Sequence, residues 1–357
     1  MRGISPTPRL VVLLSTLMMA VVALIFSKKP AAEAMDAPQS LWGADAPAEH
    51  DQATIFVSVA SYRDEDCSGT LRSMYENAAV PRRIFAGVCQ QNKEGETAEE
   101  CVDPSLPWRQ NVRVITMPHT EAKGPTFARF RCASLYKGET YFCQIDSHTT
   151  FLKGWDRTVI ADLRRCPSPK PVISYYPHDS RANATDKDAS TVPVLCKSKF
   201  DKGSGVVTFE AVSMPAAKDA PRPIPFVAGG FFFGPGSIPV EVPFDPTLDH
   251  LFNGEEIAYS ARLWTHGYDF FAPMHNYVYH YYGRKDRPKY WTDISGYASA
   301  QKTSQQRVVR LLGLDGDTPA TGQPYGLGNA RSLQAYLEFA GLNPGDKTTV
   351  SQKKFCA

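Results

Sequence analysis

From residue 54 onward, apolar runs alternate with amphipathic stretches, and that alternation sets the expected elements. Residues 54–60 (TIFVSVA) are mostly apolar and β-branched, the pattern of a buried strand. Residues 68–79 read as a helix, with Leu71, Met74, Tyr75 and Ala78 on one side. Pro81 breaks it, and 84–89 (IFAGVC) form the next strand. Strand, helix and strand within about thirty-five residues make a βαβ unit, normally with a right-handed crossover. Further strands are expected at 112–117 and 140–145, the second ending at Asp146, with a helix at 126–136 between them. A short extended segment follows at 171–176, and 192–198 with 205–210 suggest a hairpin around Gly203-Ser204-Gly205. Residues 226–233 read as a strand holding the pair Gly229-Gly230. Residues 255–266 read as a helix, with Ile257, Ala261 and Trp264 on one face and Gly267 as its cap. Alternating strands and helices imply an α/β sheet. Such sheets bind ligands at the carboxyl ends of their strands.

The pattern is different before residue 54. Residues 10–27 (LVVLLSTLMMAVVALIFS) carry no charge, with Arg2 and Arg9 before them and Lys28 and Lys29 after. As a helix they span about 27 Å, which matches the thin early-secretory bilayer. A cleaved signal peptide is the alternative, because Ala32-Glu33-Ala34 resembles a cleavage site. The long apolar run and the basic pair before that site favour an uncleaved anchor. The slight basic excess ahead of it leaves residues 1–9 cytosolic and the rest lumenal. Residues 28–52, rich in Ala, Pro and acids, read as a stem. The folded domain is expected over 53–345, with 346–357 as a C-terminal tail.

Composition narrows the picture. The 357 residues, 43% of them hydrophobic, suffice for a sizeable core. A net charge of +2 with no basic stripe argues against nucleic acid as a partner. The eight cysteines permit disulfides in an oxidising compartment, with pairing left open, and the absence of C-x-x-C argues against a cysteine zinc site. Asn183-Ala184-Thr185 is a glycosylation sequon, usable only in a lumenal domain.

Gln144-Ile145-Asp146-Ser147-His148 follows directly on a strand, where residues i and i+2 point the same way. Asp146 and His148 can therefore reach one divalent ion, and a carboxylate with an imidazole suits manganese better than magnesium. On its own the tripeptide reads more simply as a strand-end turn with a capping Asp, and its context is what turns it toward a metal. Arg129, in Lys123–Arg129 (KGPTFAR), opens the preceding helix and could contact phosphate or simply sit on a solvated face. Gly229 and Gly230 mark a bulge, a tight bend or a ligand lying close to the backbone. Glu255 and Glu256 begin a helix, where the dipole favours acids, and one of them could also face a cleft. His280, in a run of aromatic residues, could be a third metal ligand or structural. Trp264 reads most simply as core.

Together these segments resemble a known family. IFVSVASYRD at 55–64, GVCQQN at 87–92, 124–129, 144–148 with Gly154-Trp155-Asp156, Gly229-Gly230 and GEEIAYSARLWTHGYDFF at 254–271 are similar to the glycosyltransferase family 60 N-acetylglucosaminyltransferases. That family includes mucin-type polypeptide enzymes and cytosolic hydroxyproline enzymes. The same order of motifs is found, more distantly, in polypeptide N-acetylgalactosaminyltransferases, although Glu256 stands where those have Asn. The resemblance implies a GT-A fold, a single Rossmann-like domain around a mixed sheet, and a retaining transfer of GlcNAc from UDP-GlcNAc to a protein hydroxyl of Ser or Thr. Hydroxyproline as acceptor, or a non-catalytic sugar-binding protein, are the alternatives. It further implies Mn2+, or another divalent cation, on Asp146, His148 and His280. Ser61, Tyr62, Arg63, Arg129, Asp146, Gly229 and Gly230 would bind the donor, and Glu255, Glu256 and Trp264 would form the catalytic set. The expected location is the Golgi or ER membrane, as a single-pass type II protein with a lumenal domain.

Overall fold

The computed structural model describes residues 52–181, 190–315 and 324–357. The apolar segment at 10–27, the stem and the sequon lie outside them. Among the described residues no helix is long and apolar enough to cross a membrane.

β1 (Ile55–Tyr62) is followed by helix α1 (Cys67–Glu76), β2 (Ile84–Asn92) and β3 (Val112–Pro118). Helix α2 (Pro125–Ala133) then leads into β4 (Tyr141–Asp146), and the short β5 (Thr149–Phe151) follows outside the main sheet. After α3 (Trp155–Arg164) come β6 (Pro171–Ser174), the hairpin β7 (Thr191–Phe200) and β8 (Val207–Pro215), β9 (Pro223–Ile224) and β10 (Phe231–Pro235). α4 (Glu255–Thr265), β11 (Asp269–Phe271) and β12 (Val278–His280) complete the site-bearing part, and α5 (Tyr297–Leu311) and α6 (Leu333–Ala340) pack outside it. Eight strands form the main sheet in the order β3-β2-β1-β4-β10-β6-β11-β9. β3, β2, β1 and β4 are mutually parallel, whereas β10 runs antiparallel to both β4 and β6. The chain builds outward from β1 through β2 to β3, then returns to place β4 on the other side of β1. That reversal opens a crevice at the carboxyl ends of β1 and β4, where α/β sheets take their ligands. The expected βαβ unit, hairpin and mixed sheet are all present.

Two expectations of local structure are corrected. Gly229 and Gly230 lie in a bend before β10, not inside a strand. A Cβ on Gly229 would come within 2.8 Å of the Arg129 guanidinium, and one on Gly230 within 3.3 Å of Asp146 Oδ2, so close approach of these side chains explains both glycines. The second correction concerns 346–357, expected as a tail. Its residues form β14 (Thr348–Thr349), paired with β13 (Leu342–Asn343), and helix α7 (Ser351–Phe355). Cys356 then closes a disulfide with Cys196 on β7, and a second disulfide joins Cys67 to Cys101. The other four cysteines, Cys89, Cys132, Cys143 and Cys166, are free and buried.

Cys196 and Cys356 are 160 residues apart, so their bond removes much entropy from the unfolded chain. Cys356→Ser is expected to lower stability by about 2–4 kcal/mol. Urea unfolding of the non-reduced protein measures this, and an unchanged midpoint would show that the C-terminus adds nothing.

Candidate active site

A cleft of about 510 Å³ opens where β1, β2 and β4 end. Asp146 is the last residue of β4, and the turn through Ser147 carries His148 to the same side. The third group arrives from far along the chain. β12 pairs antiparallel with β5, placing His280 opposite Thr149. His280 Nε2 then lies 3.1 Å from Asp146 Oδ2, and the two imidazole rings are 4.6 Å apart. One potential ligand atom from each of Asp146, His148 and His280 falls within 4.8 Å of the others. One carboxylate oxygen and two imidazole nitrogens make a donor set that fits a borderline divalent ion such as manganese.

Asp64, just beyond β1, orients this group. Its carboxylate is fully buried, accepts from Ser147 Oγ at 2.5 Å, pairs with His148 Nδ1 at 2.9 Å and meets Arg284 Nη2 at 3.1 Å. Burial alone would raise the Asp64 pKa, but His148, Arg284 and Ser147 outweigh it and hold the carboxylate ionised. With Nδ1 engaged, His148 keeps Nε2 for the cleft, the arrangement by which a carboxylate fixes a metal-binding imidazole. Asp64 was not singled out from the sequence, where it is one acid after a strand. Only its distance to His148 reveals its part.

Behind Asp146 sits a buried ionic chain. Arg129 reaches Glu255 Oε2 at 2.6 Å and Asp146 Oδ1 at 3.3 Å, and donates to the Gly229 carbonyl at 3.0 Å. Burial works against the charge on Arg129, yet Glu255 and Asp146 raise its pKa above the usual arginine value. Asp146 is held well below the usual carboxylate range, because His280 and Arg129 overcome the effect of burial. Arg129, expected near phosphate, is thus 5% exposed and committed to two carboxylates. It braces Asp146.

Glu256 stands at the floor of the cleft. It accepts the Gly229 N–H at 2.7 Å and the Tyr176 hydroxyl at 2.5 Å. Burial, with the charge of Glu255 beside it, pushes its pKa up to about 7. The folded state therefore binds this proton more tightly than the unfolded chain does. The resulting stability is complete below about pH 4.5 and is lost as pH rises through about 7. Wild-type stability is expected to fall between pH 5 and pH 7.5 relative to Glu256→Gln by about 2 kcal/mol, read as a drop in melting temperature that the variant does not show. Parallel melting curves would refute this assignment.

The remaining sequence-derived residues divide. Tyr62 lines the cleft and donates to Asp293 at 2.9 Å. Arg63 turns to Glu99 at 3.0 Å and Asp293 at 2.8 Å, and Ser61 is fully buried; neither is among the residues lining the cleft. Gly229, Gly230, Glu255 and Glu256 line it. Trp264 does not: it packs on Tyr336 and Phe339 with Arg331 over its face, two turns along a helix buried nearly all round. Tyr176, Tyr282 and Arg284 line the cleft without having been anticipated.

With this geometry, the comparisons with known proteins are decisive at the level of family. Residues 54–107 and 95–346 match the family model described as Glycosyltransferase (GlcNAc). The chain belongs to the GlcNAc glycosyltransferase family. No curated protein matches it in sequence. Among solved structures, GalNAc-T7 with UDP, GalNAc and Mn2+ superposes with a TM-score of 0.52 at 16% identity, covering 85% of this chain and 56% of that one. The chain therefore spans little more than half the length of that structure. S. aureus TarS 1-349 in complex with UDP-GlcNAc gives 0.44 at 11% identity, covering 72% of this chain and 70% of that one. The GalNAc-T7 likeness shows the fold; the family model shows that this is a glycosyltransferase of GlcNAc type.

Proposed function

We propose that this glycosyltransferase moves GlcNAc from UDP-GlcNAc to a hydroxyl of Ser or Thr in a polypeptide, with retention of configuration and with Mn2+. The observation that carries this reading is the Asp146–His148–His280 group at the carboxyl ends of the central strands, in a chain of the GlcNAc family. Those three side chains would hold the ion, which would offset charge on the departing diphosphate. Tyr62 would flank the nucleoside. Gly229 and Gly230 would admit the donor sugar, and Glu256 would accept a hydrogen bond from a sugar or acceptor hydroxyl. No side chain in the cleft is assigned as a strong base, which suits front-face attack in which the acceptor proton passes to the leaving phosphate. Two disulfides support an oxidising, lumenal setting, in keeping with a type II anchor in the Golgi or ER membrane, and weigh against a cytosolic hydroxyproline enzyme.

The test is UDP release by residues 50–357 with Mn2+, a panel of UDP-sugars, and either a Thr-rich or a hydroxyproline peptide. The proposal expects release with UDP-GlcNAc that rises with the Thr-rich peptide. Acceptor-dependent release with a different sugar, or only with hydroxyproline, would overturn the donor or the acceptor respectively.

A further inference from the structure

A second cavity, of about 460 Å³, lies behind the cleft along α4. Phe244, Leu248, Tyr259 and Val308 give it an apolar wall, and its charged lining is three arginines, Arg262, Arg307 and Arg310, against two carboxylates, Asp245 and Glu255. Arg262 is 3% exposed. Its Nε donates to the Gly326 carbonyl at 3.2 Å, and among the described residues no carboxylate pairs with it. Asp245, whose field reaches Arg262, is paired with Arg307 at 3.3 Å. Burial draws Arg262 below the usual arginine pKa, and the acid groups around it offset this only in part. Thr126 lines the same cavity with a buried hydroxyl that has no partner among the described residues. A buried cation facing an apolar space is costly unless a counter-charge is supplied.

We propose that the cavity binds a small organic anion, a phosphate or carboxylate head on an apolar body, with Arg262 as its main cationic contact and Arg307 as the second. A volume of this size accommodates an ordinary small ligand. The site has a route to the donor cleft. Glu255 lines both cavities and holds Arg129, which braces Asp146. An anion beside Glu255 changes the field on that chain, so occupancy of the rear cavity and of the cleft are linked, and the linkage is reciprocal.

The test is calorimetric titration of the full-length chain with phenyl phosphate, once with the cleft saturated by Mn2+ and UDP and once without. Benzoate and inorganic phosphate serve as further probes. The readout is binding, so it stands whether or not the transferase reading does. The expected result is one saturable phenyl phosphate site under both conditions, weakened about tenfold or more by Arg262→Gln. Arg307→Gln should weaken it several-fold; because the change also takes the cation from the buried Asp245, each variant's melting curve is recorded and affinities are compared only between folded proteins. Benzoate binding in place of phenyl phosphate would name the carboxylate as the head recognised, and inorganic phosphate binding as tightly would remove the apolar body. No saturable binding of any probe to millimolar concentration, equal affinity in both variants, or complete displacement by UDP would overturn the proposal.

Discussion

His148→Ala is expected to lower metal-dependent transfer by about three orders of magnitude with little change in melting temperature. His148 stands at the edge of the cleft, so removing its ring opens no large core cavity. Asp64 keeps Ser147 and Arg284 as partners and is not left as a bare buried charge. What is lost is one of the three groups proposed to hold the ion, and with it several kcal/mol of stabilisation of the leaving diphosphate. Asp64→Asn makes the comparison sharper. The imidazole stays, but its orienting charge is gone, and metal affinity should fall about 10- to 100-fold. Raising the manganese concentration should therefore restore Asp64→Asn and leave His148→Ala inactive. If both variants responded alike to metal, or if neither lost activity, His148 would not be a ligand.

Arg129→Met is expected to damage the fold more than any other single change in the cleft. It leaves the buried carboxylate of Glu255, and the partly exposed Asp146 beside it, without their shared cation. Breaking one side of a buried ion pair costs about 3–5 kcal/mol, which for a domain of this size is a fall of roughly 10 °C in melting temperature. Replacing Glu255 by leucine in the same protein removes one of the stranded charges and should recover a good part of that loss. A loss below about 1 kcal/mol in the single variant, or no recovery in the double, would mean that the pairs contribute nothing measurable.

The parts of this site that could be read from the sequence are those whose signal is local. A strand ending at Asp146 with His148 two residues on offers a metal-ligand pair among its readings, and the glycine pair offers a close approach among its own, although its position was misjudged by placing it within a strand. His280 is different: nothing in the run VYHYY separates it from a structural histidine. Only the pairing of β12 with β5 brings it to Asp146, and the family likeness was needed to suggest it. Asp64, Tyr176 and Arg284 could not be found because what marks them is a distance, not a motif. Trp264 was drawn into the site by likeness alone, and the burial of α4 on nearly every face explains why the helical pattern already spoke for core. Arg129 was read from the sequence as a cation near phosphate; it lines the cleft, and the two carboxylates around it are what the sequence does not show. The C-terminal segment seemed a tail because its strand and helix are too short to leave a periodic signal, and its anchor is a disulfide.

The role proposed for Asp146, His148 and His280 is to build a nucleotide site through a divalent ion. The most direct test is UDP binding measured by calorimetry with Mn2+, with EDTA, and with Mn2+ on Asp146→Asn and His148→Ala. The prediction is binding that requires the metal and is lost in both variants. UDP binding of equal strength in EDTA, or unchanged in both variants, would contradict it.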